Sequence, residues 1–510
     1  MSRIPPSRLS RLPSSPAAGF PLEAGLPASD RTASHQTAWD EIASNLTASD
    51  RTASDRTSSV PTASDPTASP SQAAGRRTTT PPAAVAQALA WDHLRATRRH
   101  FLAAGLSLAA LPMLDQAAVF AAEGDSAAAA ANADTEKLLA PLVAKLVYFT
   151  PQDDFGTVER GTPLPYKHPP EKLTEIGLTR DSWKLEVIAD PDSNAKLDNP
   201  LSRDKGTALD FAALLKLAEQ HAVRVPKIMT CNNGGAPLGM GLWEGVPLRE
   251  VVWLAKPKEN VRRLFYYGYH NDDPKQMFRS SLPIGRVLED PPGEHPVLLC
   301  YKLNGDWLTG KRGGPVRMLV PEAYGFKSVK WLQRVVLTNA PFANDTYADG
   351  NNDVDSWMKT FARFVSFSAK AKAGEPLPLT GMAQVGISGL SKVQVWLRPA
   401  GEPWPAHDPH YRSAPWQDAT LLPAPASFPS LPGEQIPENT RGFDTPSRRP
   451  IAWPMRYSLA HWATVLRDLK PGKYELRCRT IDSQGIAQPM PRPFPKSGRN
   501  AIQQVDIEVT

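Results

Sequence analysis

Leu303-Asn304-Gly305 and, a few residues on, Arg312-Gly313-Gly314-Pro315-Val316-Arg317-Met318-Leu319-Val320-Pro321-Glu322-Ala323-Tyr324-Gly325-Phe326-Lys327-Ser328-Val329-Lys330-Trp331 hold the densest information in this chain. Asn-Gly after an apolar run is a tight-turn signal. Residues 316–320 read as a short strand. Glycines, two arginines, two lysines and a serine then crowd into about twenty residues. Backbone N–H groups of a Gly-rich loop, with Arg and Lys beside them, can cradle an oxyanion. Arginine forks match phosphate oxygens. A solvated basic loop fits the same residues. No Walker spacing is present, so a nucleotide P-loop is unsupported.

Working outward, 264–267, 297–301 and 334–337 are further β-like runs. Thr207-Ala208-Leu209-Asp210 opens like a capping box. Phe211, Leu214, Leu215 and Ala218 follow at helical spacing. Residues 225–230 read as a strand that delivers Cys231. Pro247 suits a first helical position, with Leu248, Val251, Val252 and Ala255 as the apolar stripe. Mixed helices and strands predict an α+β domain over 140–372. Beyond Ala373-Gly374-Glu375-Pro376 the texture becomes alternating strands (392–397, 474–480, 505–509) between Pro-rich loops. This predicts an immunoglobulin-like β-sandwich over 376–510.

At 510 residues the chain is about three domains long. Its 52 prolines are about twice the usual share and argue against an all-helical protein. A net charge of +6 is too mild and dispersed to indicate nucleic acid. Residues 1–95 form a low-complexity extension in which Ala-Ser-Asp-Arg-Thr recurs from Ala28, Ala48 and Ala53. Too few apolar side chains are available there to offset ordering entropy, which predicts disorder. Residues 96–122 come next, with Arg98-Arg99 before a modest apolar stretch and Val119-Phe120-Ala121 as a small-x-small site. That is the pattern of a twin-arginine export signal, and it predicts a periplasmic protein. Either the preceding extension is accessory, or the true start lies near Val85 or Leu89. Pro112 and Asp115 interrupt the apolar run, so no stable membrane insertion is expected.

Three cysteines exclude a disulfide scaffold. Their wide spacing also excludes a Cys-x-x-Cys zinc site and a haem attachment motif, so no haem is expected. Cys231, before Asn232-Asn233-Gly234-Gly235, is displayed where a strand meets a glycine loop. It is either a reactive thiolate or metal ligand, or a small buried hydrophobe. Cys300 and Cys478 read as core. The histidines are scattered, and neither a serine triad nor paired glycosidase carboxylates are recognisable.

Taken together, these segments resemble the sulfite oxidase family of molybdopterin-dependent oxidoreductases, from about Tyr148 to Thr510. The 303–331 stretch carries the resemblance most strongly. Trp243-x-Gly245-Val246-Pro247-Leu248-Arg249 and Ser281-Leu282-Pro283 add to it. Gly472-x-Tyr474-x-Leu476, with Arg479, Asp482, Gly485 and Gln488-Pro489, resembles the family's dimerisation domain. The resemblance implies a molybdenum-molybdopterin cofactor, one pterin per chain, with Cys231 as metal ligand. Arg317, Lys327, Ser328 and Lys330 would hold the pterin phosphate and ring edge. Asn232 and the segment 155–160, ending in Arg160, would line the cofactor, and Asp272 or Asp273 would contact the pterin. It also implies oxygen-atom transfer on a small sulfur compound, a homodimer, and electrons passing to a separate carrier such as cytochrome c.

The departures fall on the substrate side. The family follows its cysteine with an arginine-bearing loop, which this chain lacks. Met382 stands where an active-site tyrosine is expected. Arg312 stands where a histidine is common, and Lys184 replaces a substrate arginine; both remain catalytic candidates. Lysine keeps the charge but loses the bidentate fork. Sulfite oxidation is the family default. Reduction of an S-oxide such as methionine sulfoxide, and a non-catalytic interaction subunit, are the alternatives.

Overall fold

The computed structural model describes residues 133–269, 278–346, 348–355 and 357–510. The repeats, the twin-arginine segment, Asp272 and Asp273 lie outside the described residues.

Two five-stranded sheets build the first half. One runs in the order Leu209–Asp210, Lys184–Ala189, Leu332–Thr338, Arg263–Gly268, Arg279–Pro283. The other orders Val223–Thr230, Pro237–Pro247, Leu298–Leu303 and Asp306–Trp307, with Arg317–Leu319 also paired to Leu298–Leu303. Trp183, Leu185, Val187, Leu214, Val246, Val251, Leu264, Tyr266 and Leu299 meet in one core cluster, so strands and helices share a single apolar interior. The Pro237–Pro247 strand is buried along nearly its whole length, as a two-sided strand should be. Asn304 and Gly305, with φ of 55° and 93°, make the left-handed turn that the Asn-Gly pair predicts.

The Phe211–His221 helix buries Phe211 and Leu214. Its start differs from the capping-box expectation: Asp210 is itself the N-cap, accepting from Ala213 N at 2.8 Å. Pro247 likewise closes a strand and caps the Leu248–Leu254 helix rather than occupying its first turn.

The C-terminal half is one curled eight-stranded sheet. Its order is Phe361–Ser366, Leu377–Gln384, Leu459–Leu466, Gln417–Leu421, Lys392–Pro399, Gly472–Ile481, Gln503–Val509, Lys370–Ala371. It folds over a second core containing Phe364, Leu379, Val393, Val395, Trp462, Leu476, Cys478 and Ile507, which gives the sandwich character. Gln488, in a loop, and Gln503, on the Gln503–Val509 strand, accept from Ala362 N and Phe364 N, so Phe361–Ser366 is held from both. This strand lies upstream of residue 376, inside the range expected for the first domain. It pairs antiparallel with Leu377–Gln384, so the composition change at 373–376 falls within one sheet.

Candidate active site

The Val223–Thr230 strand carries the chain into Cys231. Its end is fixed from two sides. Gly325 N donates to Thr230 O at 2.8 Å, and Thr230 Oγ1 donates to Gln384 Oε1 on the C-terminal sheet at 2.5 Å. The loop then turns, with Gly234 N donating to Cys231 O at 3.1 Å, and Arg499 N donating to Asn232 O at 3.2 Å. Cys231 is half-buried. Cys300 and Cys478 are buried, and burial pushes the Cys300 thiol up to about 12, so neither is a reactive thiolate.

Cys231 opens onto a cleft that it shares with Phe155, Gly156, Thr157, Arg160 and Asn232. The Gly-rich basic stretch adds Arg312, Arg317, Ser328, Lys330 and Trp331. Four cations therefore line the cleft, and no Asp or Glu does among the described residues. Arg317 donates Nη1 to Arg312 O (2.8 Å) and Nη2 to Ser328 O (2.6 Å), and its guanidinium lies 5.1 Å from the Trp243 ring centre. Arg312 Nη1 reaches Gly156 O at 2.7 Å. Lys330 Nζ donates to Thr157 Oγ1 (2.7 Å) and Lys311 O (3.0 Å). Arg160 stacks 4.1 Å over the Phe278 ring.

Electrostatics in the cleft are strained by like charge. Burial, then Arg317 and Arg312, depress Lys330 to about 7. Burial lowers Arg317 to about 10. Burial also lowers Arg160, while the nearby Cys231 sulfur opposes that shift. Arg312 Nη2, Arg317 Nε and Asn232 Nδ2 are buried with no acceptor. A surplus of buried donors, with no carboxylate to receive them, fits a polyanionic acceptor-rich ligand. Phe155, Leu238, Trp243, Phe278, Phe326 and Trp331 supply apolar walls that fit a fused ring. The Cys231 sulfur is of the soft type that suits a thiophilic metal.

Not every expected residue is here. Lys327 does not line the cleft: its Nζ is turned to Asp345 Oδ1 (2.7 Å) and Ser281 O (2.8 Å), in a buried pair. Lys184 is exposed at the start of its strand and also does not line the cleft. Met382 is buried in an apolar cluster with Met240, Leu242, Tyr324 and Phe326. Beyond Asn232 a more open basin continues, lined by Asn233, Lys359, His410, Arg499 and Asn500 among others. Residue spacing along the chain carries no sign of this second hollow.

Residues 179–346 match the family model described as oxidoreductase molybdopterin binding domain. Mitochondrial sulfite oxidases of Drosophila melanogaster (26% identical over 220 residues, 40% of this chain and 37% of that protein) and Rattus norvegicus (28% over 181 residues, 34% and 32%) are similar to it. The matched segment is an oxidoreductase molybdopterin-binding domain, similar to that of the sulfite oxidases. The same domain of this type is shared by a fungal nitrate reductase [NADPH] of Beauveria bassiana, 31% identical over 126 residues, 25% of this chain and 13% of that protein. The chain thus spans about an eighth of the fungal relative and about a third of the two sulfite oxidases. A crystal structure of the sulfane dehydrogenase SoxCD from Paracoccus pantotrophus is 18% identical with a TM-score of 0.45, covering 65% of this chain and 77% of that one.

Proposed function

We propose that this chain is an exported molybdenum-pterin enzyme that oxidises a small sulfur oxyanion, with sulfite as the first substrate to test. The supporting observation is the cleft itself, where one accessible cysteine sulfur shares a cavity with four cations and no carboxylate. Molybdenum-pterin, when bound, supplies two-electron oxygen-atom-transfer chemistry. In the overall change sulfite and water become sulfate, two protons and two electrons. The chain's own residues have simpler tasks. Cys231 would hold the metal through sulfur. Arg312, Arg317 and Lys330 would hold the pterin phosphate with Nη2, Nε and Nζ. Asn232 would donate Nδ2 beside the metal ligand. The aromatic walls would exclude water and keep these charge-assisted bonds strong. Electrons would leave to a separate carrier of the cytochrome c kind. Arg98-Arg99 and the apolar run after them support export to the periplasm through the twin-arginine route. A homodimer through the C-terminal sheet completes the reading.

The test is metal and pterin analysis on protein from a cofactor-competent host, followed by assay of sulfite, thiosulfate and methionine sulfoxide with artificial electron carriers. About one molybdenum and one pterin per chain are expected, with turnover of a sulfur oxyanion. Cys231→Ser should keep the fold, lose the thiolate-to-molybdenum absorption and lose turnover. Protein from such a host without molybdenum would overturn the proposal.

A further inference from the structure

Thr230, the residue before Cys231, belongs to a closed ring of buried hydrogen bonds. Its Oγ1 donates to Gln384 Oε1 at 2.5 Å, and Gln384 Nε2 donates to Lys359 O at 2.7 Å. Lys359 N donates to the Tyr324 hydroxyl at 3.1 Å. The next residue closes the ring, because Gly325 N donates to Thr230 O at 2.8 Å. Thr230, Gln384, Tyr324 and Lys359 are all buried. None of these four lines the cleft that Cys231 enters.

The members come from three parts of the chain. Thr230 ends the strand that delivers Cys231. Tyr324 and Gly325 lie in the stretch that also sends Arg317, Ser328 and Lys330 into the cleft. Gln384 ends the Leu377–Gln384 strand of the C-terminal sheet, and Lys359 comes just before the Phe361–Ser366 strand. Cysteine strand, basic stretch and second half therefore meet in one ring. Its packing leaves little play. A Cβ on Gly498 would collide with the Tyr324 hydroxyl, and Lys359 Nζ donates to Gly498 O at 3.0 Å. Gln384 uses both ends of its amide, accepting from Thr230 and donating to Lys359, which fixes the amide's orientation. In a satisfied buried network each bond constrains the others. On the other side of Cys231 comes Asn232-Asn233-Gly234-Gly235, where the glycines offer no side chain to hold. The direction of the sulfur is thus set mainly from the Thr230 side.

We propose that Gln384 is a positioning residue which, acting through Thr230, sets the direction in which the Cys231 sulfur enters the cleft and keeps it in register with Arg317 and Lys330. The inference deepens the proposed function and rests on it for the metal that this sulfur would meet. Hydrogen bonds behind a metal ligand orient it and tune the metal, and small misplacements of a reacting centre are costly. Loss of the ring should therefore change the chemistry at the sulfur more than the capture of substrate.

Two variants of the full chain test this. Thr230→Val keeps the side-chain shape and removes the donor, and Gln384→Met removes both amide bonds. Urea denaturation confirms that each is folded. In cofactor-free protein, alkylation of Cys231 by iodoacetamide is expected to be about fivefold faster in both, the equivalent of one lost hydrogen bond. Cys300 and Cys478 are buried, so the label reports position 231. In protein loaded with molybdenum, the thiolate-to-metal absorption band should shift, and kcat for sulfite should fall at least about tenfold with KM little changed. Thr230→Ser, which returns the donor, should restore band, alkylation rate and kcat. Thr420→Val removes an exposed hydroxyl from another strand of the same sheet and should change none of them. A wild-type band in folded, metal-loaded Thr230→Val overturns the proposal. So do wild-type alkylation rates in both variants, or a Thr230→Ser that behaves like Thr230→Val. A chain that takes up no molybdenum, yet whose alkylation depends on Thr230 and Gln384, would defeat the redox reading and leave the positioning of the sulfur standing.

Discussion

Lys327 and Lys330 are near neighbours in sequence, yet their ammonium groups meet opposite surroundings. Lys327 is locked to Asp345, whose oxygens also accept from Ser280 and Ser281. Removing one partner of a buried ion pair strands the other charge. Lys327→Met should therefore destabilise the protein by about 3–5 kcal/mol, read as a lowered urea midpoint. Lys330 is held near 7 by burial and then by the crowding of Arg317 and Arg312 in the cleft. Lys330→Met should leave the melting temperature of cofactor-free protein unchanged or raised, and lower pterin retention by at least about tenfold. A common effect of the two variants on stability would contradict this division of labour. The family resemblance puts both lysines in the phosphate set. What separates them is the direction each side chain takes from a loop, and that depends on Asp345 and Thr157, partners remote in sequence. That Cys231, Arg317 and Ser328 fall where strands meet Gly-rich turns is legible in the sequence, whereas Arg160 is singled out only by the family resemblance. The approach of Arg363 to Gly235 is not legible, because nothing local distinguishes an arginine that meets a distant loop from one that meets water.

Among the elements, the Phe211–His221 helix gives a clean local test. Asp210 caps it through one hydrogen bond from Ala213 N, from an exposed position. Asp210→Ala should cost about 1 kcal/mol, measurable by chemical denaturation, with metal content unaltered. The helix itself is legible from its apolar spacing; its first residue is not, since Thr207 and Asp210 both have cap chemistry. Composition misplaces the domain boundary for a related reason. Ala373-Gly374-Glu375-Pro376 has the make-up of a linker, but it joins two strands of the same sheet, Lys370–Ala371 and Leu377–Gln384. Gly374 N donates to Leu469 O at 3.0 Å, which pins the connection to the sheet. Turn chemistry marks where a strand ends, and says nothing about whether the next strand returns to the same sheet.

Across the whole molecule, buried imidazoles make the fold acid-sensitive. Burial, reinforced for His295 by Arg441, Arg456 and Arg286, holds both His295 and His461 near 4, against 6.5 when exposed. Between those values the unfolded chain binds more protons than the folded one, so stability falls as pH drops from 6.5 to 4. Each imidazole contributes up to about 3 kcal/mol of that loss. His461→Gln should flatten the fall in melting temperature over this window relative to wild type; an equally steep fall would show that His461 is not buried neutral. The two halves also differ in kind: the first carries the cleft, and the second reaches into it. Gln384 takes the Thr230 hydroxyl, and Arg499 takes the Asn232 carbonyl. A minimal module cut just before Phe361 would forfeit both grips at once, and its Cys231 thiol would sit on a slack tether. Descendants of this architecture could not shed the second half without inventing another hand to hold that sulfur still.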